Sequence, residues 1–435
     1  MDEYDVAIVG GGPAGLSLAA DLSQDYNVAL IERGEIGHTD KAWGVLETDG
    51  YRVDDDLVIN RLYRGGIRLR SGERTLDIEE PMPAGDGCAL VDEGKVMAKW
   101  RDQAESYGCN LLEKTSYRDL SYTDKGVEID TDAGPLRARL VIDATGYNSP
   151  IAKKLGLNKE PDYYVPTYGG YVEGASFPDP TSGLVVVRDA DTDVFGEYFP
   201  LSEERGVSWV FQTIKPDEYA AKSEDEWIQG LRDAYEDFAS KDPEVAGSHL
   251  VKECYGVIPM RQMDRKAADR VLLVGDAGGQ TPFCTLGFNS IFKGHERVAE
   301  QVGYLLEQDE LDAISLNSIS YREKNPLSDT LMPILIKQGI EMPVEEMMDL
   351  AEPLVKYGSS EAFSQIQVRA LDDSLRLEDM ESFFDATDKL PLRDKVRMAW
   401  GGAKAVGFVD SCKAAYAVGR AYMGHWFSDK EEDSE

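Results

Sequence analysis

The sequence predicts an α/β protein with a helical C-terminal region, and three features of the 435-residue chain lead to that prediction. An apolar strand at Tyr4–Gly10, a helix at Pro13–Gln24 and a second apolar strand at Val28–Ile31 form a β-α-β unit. Residues 166–213 contain several segments of alternating apolar and polar residues, which is typical of an antiparallel sheet. From about residue 310 onward the pattern is helical, with prolines as breaks.

A chain of this length exceeds one ordinary domain, so we expect several lobes. Residues 1–150 and 253–325 are expected to form one domain in two pieces, because each contains a buried strand that ends in a glycine-containing turn. A mainly antiparallel β lobe at 151–252 is inserted between them, with further strands of that lobe in 45–90. Two further parts follow, a helical C-terminal region and a disordered acidic tail, at 326–428 and 429–435.

Acidic residues outnumber basic residues by 81 to 46, which gives a formal net charge of −35. This charge argues against nucleic acid as a partner, since phosphates are bound by clusters of Lys and Arg. It also argues against electrostatic attachment to an anionic membrane. Because the acidic residues are spread along the chain, we expect a halophilic protein whose self-repulsion is screened by salt. An acidic mesophilic protein is the alternative.

The five cysteines are widely spaced and form no CxxC pair, which indicates a reducing cytoplasm and no disulfide framework. The four histidines have no metal-ligand spacing, so no metal site is expected. Neither a signal peptide nor an apolar run of membrane-spanning length is predicted. We therefore expect a cytoplasmic protein with at most peripheral membrane contact.

The turn between the first strand and the first helix matches the pattern G-x-G-x-x-G at residues 10–15. Glycines there let the backbone approach a pyrophosphate, and the N-terminus of the helix offers free N–H groups to its charge. Glu32 ends the next strand, where a carboxylate accepts hydrogen bonds from an adenosine ribose. Together they predict a Rossmann-type dinucleotide site, with a structural turn as the alternative. The assigned residues are Gly10, Gly12, Pro13, Ala14, Gly15, Glu32 and Arg33.

Two later turns follow buried strands, ATG after LVID and Gly275-Asp276 after VLLV. At a strand end, Asp276 can bind a ribose or ribityl hydroxyl, whereas an isolated Gly-Asp pair is more typical of a helix cap. The glycines that follow, together with Asn289 at the next helix start, can place backbone donors beside a cofactor. The residues assigned here are Thr145, Gly146, Gly275, Asp276, Gly287 and Asn289.

The order of these three motifs resembles a flavoprotein superfamily that includes aromatic hydroxylases, geranylgeranyl reductases and flavin-dependent lycopene cyclases. The resemblance covers roughly residues 1–310 and is strongest at 4–33, 139–147 and 271–295. It implies FAD as the cofactor, held by Gly10, Gly12, Gly15, Glu32, Gly275 and Asp276. Many members carry an Arg at the start of the helix near Val91, where this chain has Glu93.

Three segments are similar to the isoprenoid-acting branch of that superfamily. They are VFGEYFPLSEERG at 194–206, KAWGVL at 41–46 and GDAGGQTPFCTLGFNSIFKGHERV at 275–298. The resemblance implies a hydrophobic substrate and an electron donor, NAD(P)H or ferredoxin.

Alternation along two neighbouring strands predicts a wall of aromatic side chains on one face of the antiparallel lobe. Such a wall suits a polyprenyl substrate, and an ordinary sheet core is the alternative. The predicted pocket residues are Phe195, Phe199, Trp209 and Phe211. Glu197 lies between two of these aromatic residues in the sequence and, if desolvated, can act as a proton donor. The large number of acidic residues favours the other interpretation, a surface acid on an edge strand.

These observations predict an FAD-dependent oxidoreductase that acts on a geranylgeranyl or carotenoid substrate, with Glu197 as the catalytic residue. Three alternatives stay open at this point. They are an isomerase of the lycopene cyclase type, an FAD-dependent aromatic monooxygenase and an FAD-binding protein without enzymatic activity.

Overall fold

The computed structural model describes residues 1–38, 43–48, 50–82, 87–192, 194–279, 287–372 and 374–396. Within these ranges the chain forms three β-sheets with helices packed against them, which confirms the predicted α/β class. The strands are β1 (Asp2–Val9), β2 (Val28–Ile31), β3 (Trp43–Glu47), β4 (Val58–Leu62), β5 (Arg64–Ser71), β6 (Arg74–Pro81), β7 (Gly87–Val91), β8 (Asn110–Leu112), β9 (Tyr117–Thr123), β10 (Gly126–Thr131), β11 (Leu136–Asp143), β12 (Tyr163–Glu173), β13 (Leu184–Asp189), β14 (Phe195–Pro200), β15 (Arg205–Phe211), β16 (His249–Met260), β17 (Ala267–Ala268) and β18 (Val271–Leu273). The helices are α1 (Pro13–Leu22), α2 (Glu93–Ser106), α3 (Pro150–Lys154), α4 (Pro216–Ala220), α5 (Glu224–Lys241), α6 (Gly287–Gln308), α7 (Ala313–Asn317), α8 (Pro326–Glu341), α9 (Val344–Lys356), α10 (Ser360–Leu371) and α11 (Leu377–Asp388).

The first sheet has a parallel centre in the order β18-β11-β1-β2-β8, with β17 added antiparallel at one edge and the β9–β10 hairpin beside β11. The central strands are continuous apolar runs because both of their faces are buried. Helices α1, α2 and α6 cover one face, where Ile8, Leu16 and Val298 are fully buried. The other face packs against the hairpin and α3.

The second sheet has seven strands in the order β16-β12-β15-β14-β13-β5-β6. All its pairs are antiparallel except β13 with β5. Helix α5 covers one face, because its apolar side Leu231, Tyr235 and Phe238 packs on Tyr198 and Val210. The opposite face looks toward the third sheet, β3-β7-β4, and toward the C-terminal helices. This arrangement confirms the predicted, mainly antiparallel lobe.

Helices α8 to α11 form the described part of the C-terminal region, where α9 packs on β5 and α10 packs on β6. The rest of the predicted helical region and the predicted acidic tail follow residue 396 and lie outside the described residues. Among the helices of the described ranges, none combines the length and the apolar character that crossing a bilayer requires.

Candidate active site

Three turns meet at one edge of the first sheet because the parallel strands before them end in register. Val9 pairs with Asp143, and Asp143 pairs with Leu273. The segments that follow these residues, 10–15, 144–147 and 275–278, therefore lie side by side, and we call them the cofactor edge. The carboxyl ends of strands in such sheets are where nucleotide ligands bind. The sequence predicted these turns separately, and the fold brings them together.

The first turn is shaped by glycines that allow close backbone contacts. A Cβ on Gly15 would lie 1.9 Å from the Gly10 carbonyl oxygen, so α1 packs directly on the end of β1. Gly10 has a φ of +110°, and a Cβ there would lie 2.4 Å from the Ala144 oxygen. By contrast, no described atom lies within 4 Å of a Cβ built on Gly12. The first turn of α1 thus borders an open cradle that a pyrophosphate fits.

Glu32 directly follows β2, and its carboxylate connects the glycine turn after β1 to the backbone after β2 through hydrogen bonds. Its Oε2 accepts a hydrogen bond of 2.8 Å from the Gly11 N–H, and its Oε1 accepts one of 2.7 Å from the Gly34 N–H. Each carboxylate oxygen has a further lone pair, so Glu32 can still accept a ribose hydroxyl. The neighbouring Arg33 is exposed.

Asp143, the last residue of β11, organises the second turn, and sequence reasoning missed it. It is fully buried and accepts hydrogen bonds from the Thr145 N–H at 3.0 Å and the Thr145 hydroxyl at 2.6 Å. The Ser149 hydroxyl, which caps α3, also donates to it. Burial raises the pKa of Asp143, and these donors oppose that rise. An acid directly before ATG was the available signal for this role.

The third turn, Gly275–Gly278, is a short 3₁₀ helix. Gly275 has a φ of +58°, and its Cβ position lies 2.9 Å from the Ala14 Cβ, so this turn touches the start of α1. Asp276 lies inside the turn, whose N-cap residue is Val274, so Asp276 is not the helix cap that an isolated Gly-Asp pair suggests. Gly146, in the second turn, has open space beside it.

Asn289 lies in the first turn of α6, which begins at Gly287. Its side-chain amide forms hydrogen bonds with two other segments of the chain. Its Oδ1 accepts from the Leu46 N–H at 2.9 Å, and its Nδ2 donates to Asp372 at 3.1 Å. Lys293, one turn further, donates to both Asp372 oxygens at 2.9 and 2.8 Å and to the Thr48 hydroxyl at 3.0 Å. This cluster joins α6, the end of β3 and the C-terminal helices. Sequence reasoning missed it because its members lie far apart in the chain.

Glu197 is buried, with 7% of its surface exposed, on β14 between β13 and β15. The interpretation of Glu197 as a surface acid on an edge strand is therefore wrong, because β13 and β5 extend the sheet beyond β14. The Trp209 indole N–H, directly opposite on β15, donates to its Oε2 at 2.5 Å. Burial raises the pKa of Glu197, and the Trp209 hydrogen bond only partly offsets that rise.

The predicted aromatic residues lie on the same face of the sheet as Glu197. Phe195 and Phe211 stack with centroids 5.1 Å apart, and Phe199 meets Trp209 edge-on at 5.4 Å. Phe199 and Phe211 are buried, while Phe195 and Trp209 are half-buried. These four residues and Glu197 form what we call the substrate face. Apolar residues of β3, β4 and β7 pack against one end of it, and Ile340 of α8 packs against the other.

Glu93, the first residue of α2, occupies the position where the resemblance leads one to expect an Arg. Its side chain is buried and accepts hydrogen bonds of 3.1 Å at both oxygens from the Tyr171 hydroxyl of β12. Burial raises the pKa of Glu93, and the hydrogen bond from Tyr171 and the charge of Lys252 lower it. The residue therefore bridges α2 and the second sheet with a carboxyl group.

Comparison with known proteins finds two matching families. Residues 67–291, more than half of the chain, match the family described as FAD binding domain, and residues 5–81 match the family described as FAD dependent oxidoreductase. Digeranylgeranylglycerophospholipid reductase 1 of Methanopyrus kandleri is 29% identical over 350 residues, covering 75% of this chain and 88% of that protein. The resemblance to the flavoprotein superfamily and the prediction of FAD as the cofactor are confirmed.

Two solved structures share the fold over nearly the whole chain. A geranylgeranyl bacteriochlorophyll reductase-like protein from Thermoplasma acidophilum is similar with a TM-score of 0.62 and 16% identity, covering 92% of this chain and 100% of that chain. The halogenase PltM is similar with a TM-score of 0.60 and 12% identity, covering 97% and 96%. Because proteins of different activity share this architecture, the fold alone does not identify the substrate.

Proposed function

This chain belongs to the FAD binding domain family and is an FAD-dependent oxidoreductase, and we propose that it reduces carbon–carbon double bonds of a polyprenyl or carotenoid substrate. The observation that carries this proposal is the buried acid Glu197 within an aromatic face. The printed name of the Methanopyrus kandleri relative, a digeranylgeranylglycerophospholipid reductase, supports the same substrate class. An electron donor, NAD(P)H or ferredoxin, and a cytoplasmic setting belong to the proposal.

The cofactor edge fits FAD. The open cradle at Gly12 and the N-terminus of α1 suit the pyrophosphate, Glu32 suits the adenosine ribose, and Asp276 suits a ribityl hydroxyl. When bound, FAD supplies the hydride for reduction.

Glu197 supplies the proton that reduction of a double bond also requires. Its raised pKa keeps the carboxyl group protonated at higher pH than an ordinary Glu. Since Oε2 accepts from the Trp209 indole, we assign the transferable proton to Oε1. The aromatic side chains around it offer apolar contact to a long chain and exclude water from the acid.

The mass of the product tests this proposal. Enzyme reduced chemically under anaerobic conditions, which bypasses the natural electron donor, is incubated with a geranylgeranyl lipid and, separately, with lycopene. We expect a product with two added hydrogens per reduced double bond. An isomeric product with a ring would instead identify a cyclase, and a product with one added oxygen, formed only with O₂, a monooxygenase. No product with either substrate would contradict the polyprenyl assignment.

Two variants separate the role of Glu197 from a general effect of removing a carboxylate. Glu197→Gln is expected to abolish product formation while FAD binding and chemical reduction persist. Glu173→Gln, which removes a half-exposed carboxylate at the end of β12, serves as the matched control and should retain full turnover. Full turnover by Glu197→Gln would remove the proton-donor role and leave the substrate class standing.

A further inference from the structure

We propose that Arg261 is a positioning residue for FAD, which holds two turns of the cofactor edge together and places a buried positive charge behind them. The inference rests on the FAD site proposed above. Nothing in the sequence singled out this residue, which directly follows β16 of the second sheet.

The guanidinium of Arg261 joins three separate segments of backbone. The side chain is 3% exposed, and its Nη1 donates to the Lys159 carbonyl at 2.8 Å. Its Nη2 donates to the Asp276 carbonyl at 2.8 Å and lies 3.2 Å from the Tyr147 carbonyl and 3.4 Å from the Ala277 carbonyl. One side chain thus connects the second and third turns of the cofactor edge. Because these turns follow different strands, their spacing depends on this connection as well as on the sheet.

The charge of Arg261 has no matching anion in contact with it among the residues that the structure describes. Its acceptors there are main-chain carbonyl oxygens, and its Nε has no hydrogen-bond partner. Burial lowers the pKa of Arg261, while the charge of Asp276 opposes that shift. An Arg remains protonated even so. A buried cation is unfavourable unless enough negative charge lies near it, and Asp276 supplies part of that charge without an ion-pair contact, so we expect a further anion nearby in the functional state.

Bound FAD supplies that anion. Its pyrophosphate carries negative charge and belongs at the start of α1, which Gly275 of the third turn touches through Ala14. Arg261 lies behind this turn, because it binds the carbonyls of Asp276 and Ala277. The expected consequence is that Arg261 contributes more to the FAD-bound protein than to the protein without FAD.

The test compares Arg261→Gln and Arg261→Lys with the wild type and with Arg232→Gln. Arg232 is a half-exposed Arg in contact with Tyr168 and Glu253, so its variant is the matched control. FAD is removed, and the dissociation constant for added FAD is measured by quenching of flavin fluorescence in high salt. The Tm of each protein is measured with and without FAD.

We expect Arg261→Gln to weaken FAD binding roughly 10- to 100-fold, as for loss of a charge-assisted hydrogen bond. Arg261→Lys, which keeps the charge but not the fork of donors, should lie between that variant and the wild type. Relative to the wild type, the Tm of Arg261→Gln should fall more in the presence of FAD than in its absence. Arg232→Gln should match the wild type.

A purely structural role for Arg261 makes a different prediction. It lowers the Tm with and without FAD by the same amount and leaves the FAD dissociation constant within about twofold, and that result would overturn the inference. If Arg261→Gln does not fold, Arg261→Lys decides by the same two measurements. If the wild type itself does not bind FAD, the FAD site fails and the inference fails with it.

Discussion

The cofactor edge is formed mainly by backbone groups, whereas the substrate face is formed by side chains. At the cofactor edge, backbone groups form the surface, and glycines leave space where a side chain would block it. At the substrate face, side chains from adjacent strands form the surface, and its one acid depends on a partner across the sheet. The first region is therefore sensitive to any added side chain at a few positions. The second is sensitive to the chemical identity of single side chains.

The largest effect should come from adding a side chain to the cofactor edge. Gly15→Val places carbon atoms within contact of the Gly10 carbonyl, where even a Cβ would lie at 1.9 Å, so we expect loss of both FAD and the cooperative fold. Gly12→Ala meets no described atom within 4 Å, so this variant should fold and bind FAD more weakly. FAD content on purification and thermal unfolding measure both outcomes.

The exposed helix glycine Gly230 provides the control, because Gly230→Ala on α5 should leave FAD binding unchanged. It should also stabilise the protein by about 0.5–1 kcal/mol. If Gly12→Ala bound FAD as tightly as the wild type, the cradle assigned to the pyrophosphate would be wrong.

The next largest effect is expected at the cluster of Asn289, Lys293, Asp372 and Thr48, which connects the C-terminal helices to α6 and the end of β3. Lys293→Met removes the ammonium group that donates to both oxygens of Asp372, whose side chain is 2% exposed, and should lower the free energy of unfolding by about 3–5 kcal/mol. The double variant Lys293→Met/Asp372→Leu removes both charges and should recover much of that loss. Urea unfolding of the three proteins tests this. A double variant as unstable as the single one would show that the attraction between the two charges is not what Lys293 contributes.

A smaller effect should appear as a pH dependence at the substrate face. Because the pKa of Glu197 is raised in the folded protein, the native state binds this proton more tightly than the unfolded state does. The contribution of Glu197 to stability is therefore present below the ordinary Glu pKa of about 4.3 and is lost as the pH rises toward its raised value. Within that window the loss is at most about 1.4 kcal/mol per pH unit.

Glu197→Gln cannot titrate, so its stability relative to the wild type should increase as the pH rises. Urea midpoints at pH 5 and about pH 8, at one salt concentration, measure this difference. A constant difference between Glu197→Gln and the wild type would mean that Glu197 titrates equally in both states.

The smallest effect on the cofactor edge and the substrate face should come from a change in salt concentration. With a net charge of −35, the acidic side chains repel one another in dilute buffer. Added cations should screen this repulsion without acting on the buried groups of either region. We expect the Tm to rise from dilute buffer to molar KCl, and to rise less in an uncharged osmolyte of equal osmolality. A Tm that stays flat or falls in KCl would contradict the halophilic expectation.

The sequence allowed the cofactor edge to be predicted in more detail than the substrate face, for a physical reason. The glycine turn and Glu32 lie close together along the chain, and their pattern follows from local backbone geometry. Alternation also predicted that Phe195, Glu197 and Phe199 share a face. The burial of Glu197 was not predictable, because the alternating pattern does not show that β13 and β5 extend the sheet beyond β14 or that β3, β4 and β7 pack against its face. The same holds for Asp372, whose partner Thr48 lies 324 positions earlier.

Some predictions concern segments outside the described residues and stay predictions. They include residues 280–286 of the segment at 275–298 that is similar to the isoprenoid-acting branch, and the helical region beyond residue 396.

The order of strands in the second sheet has a consequence for synthesis of the chain. Its strands β5 and β6 come from residues 64–81, whereas its last strand, β16, comes from 249–260. The first sheet is likewise incomplete until β18, at residues 271–273, has been made. A growing chain therefore cannot complete either sheet until about the same moment, after well over half of it has left the ribosome. Until then, both sheets expose unpaired strand edges, so neither lobe is expected to be expressed intact as a separate fragment.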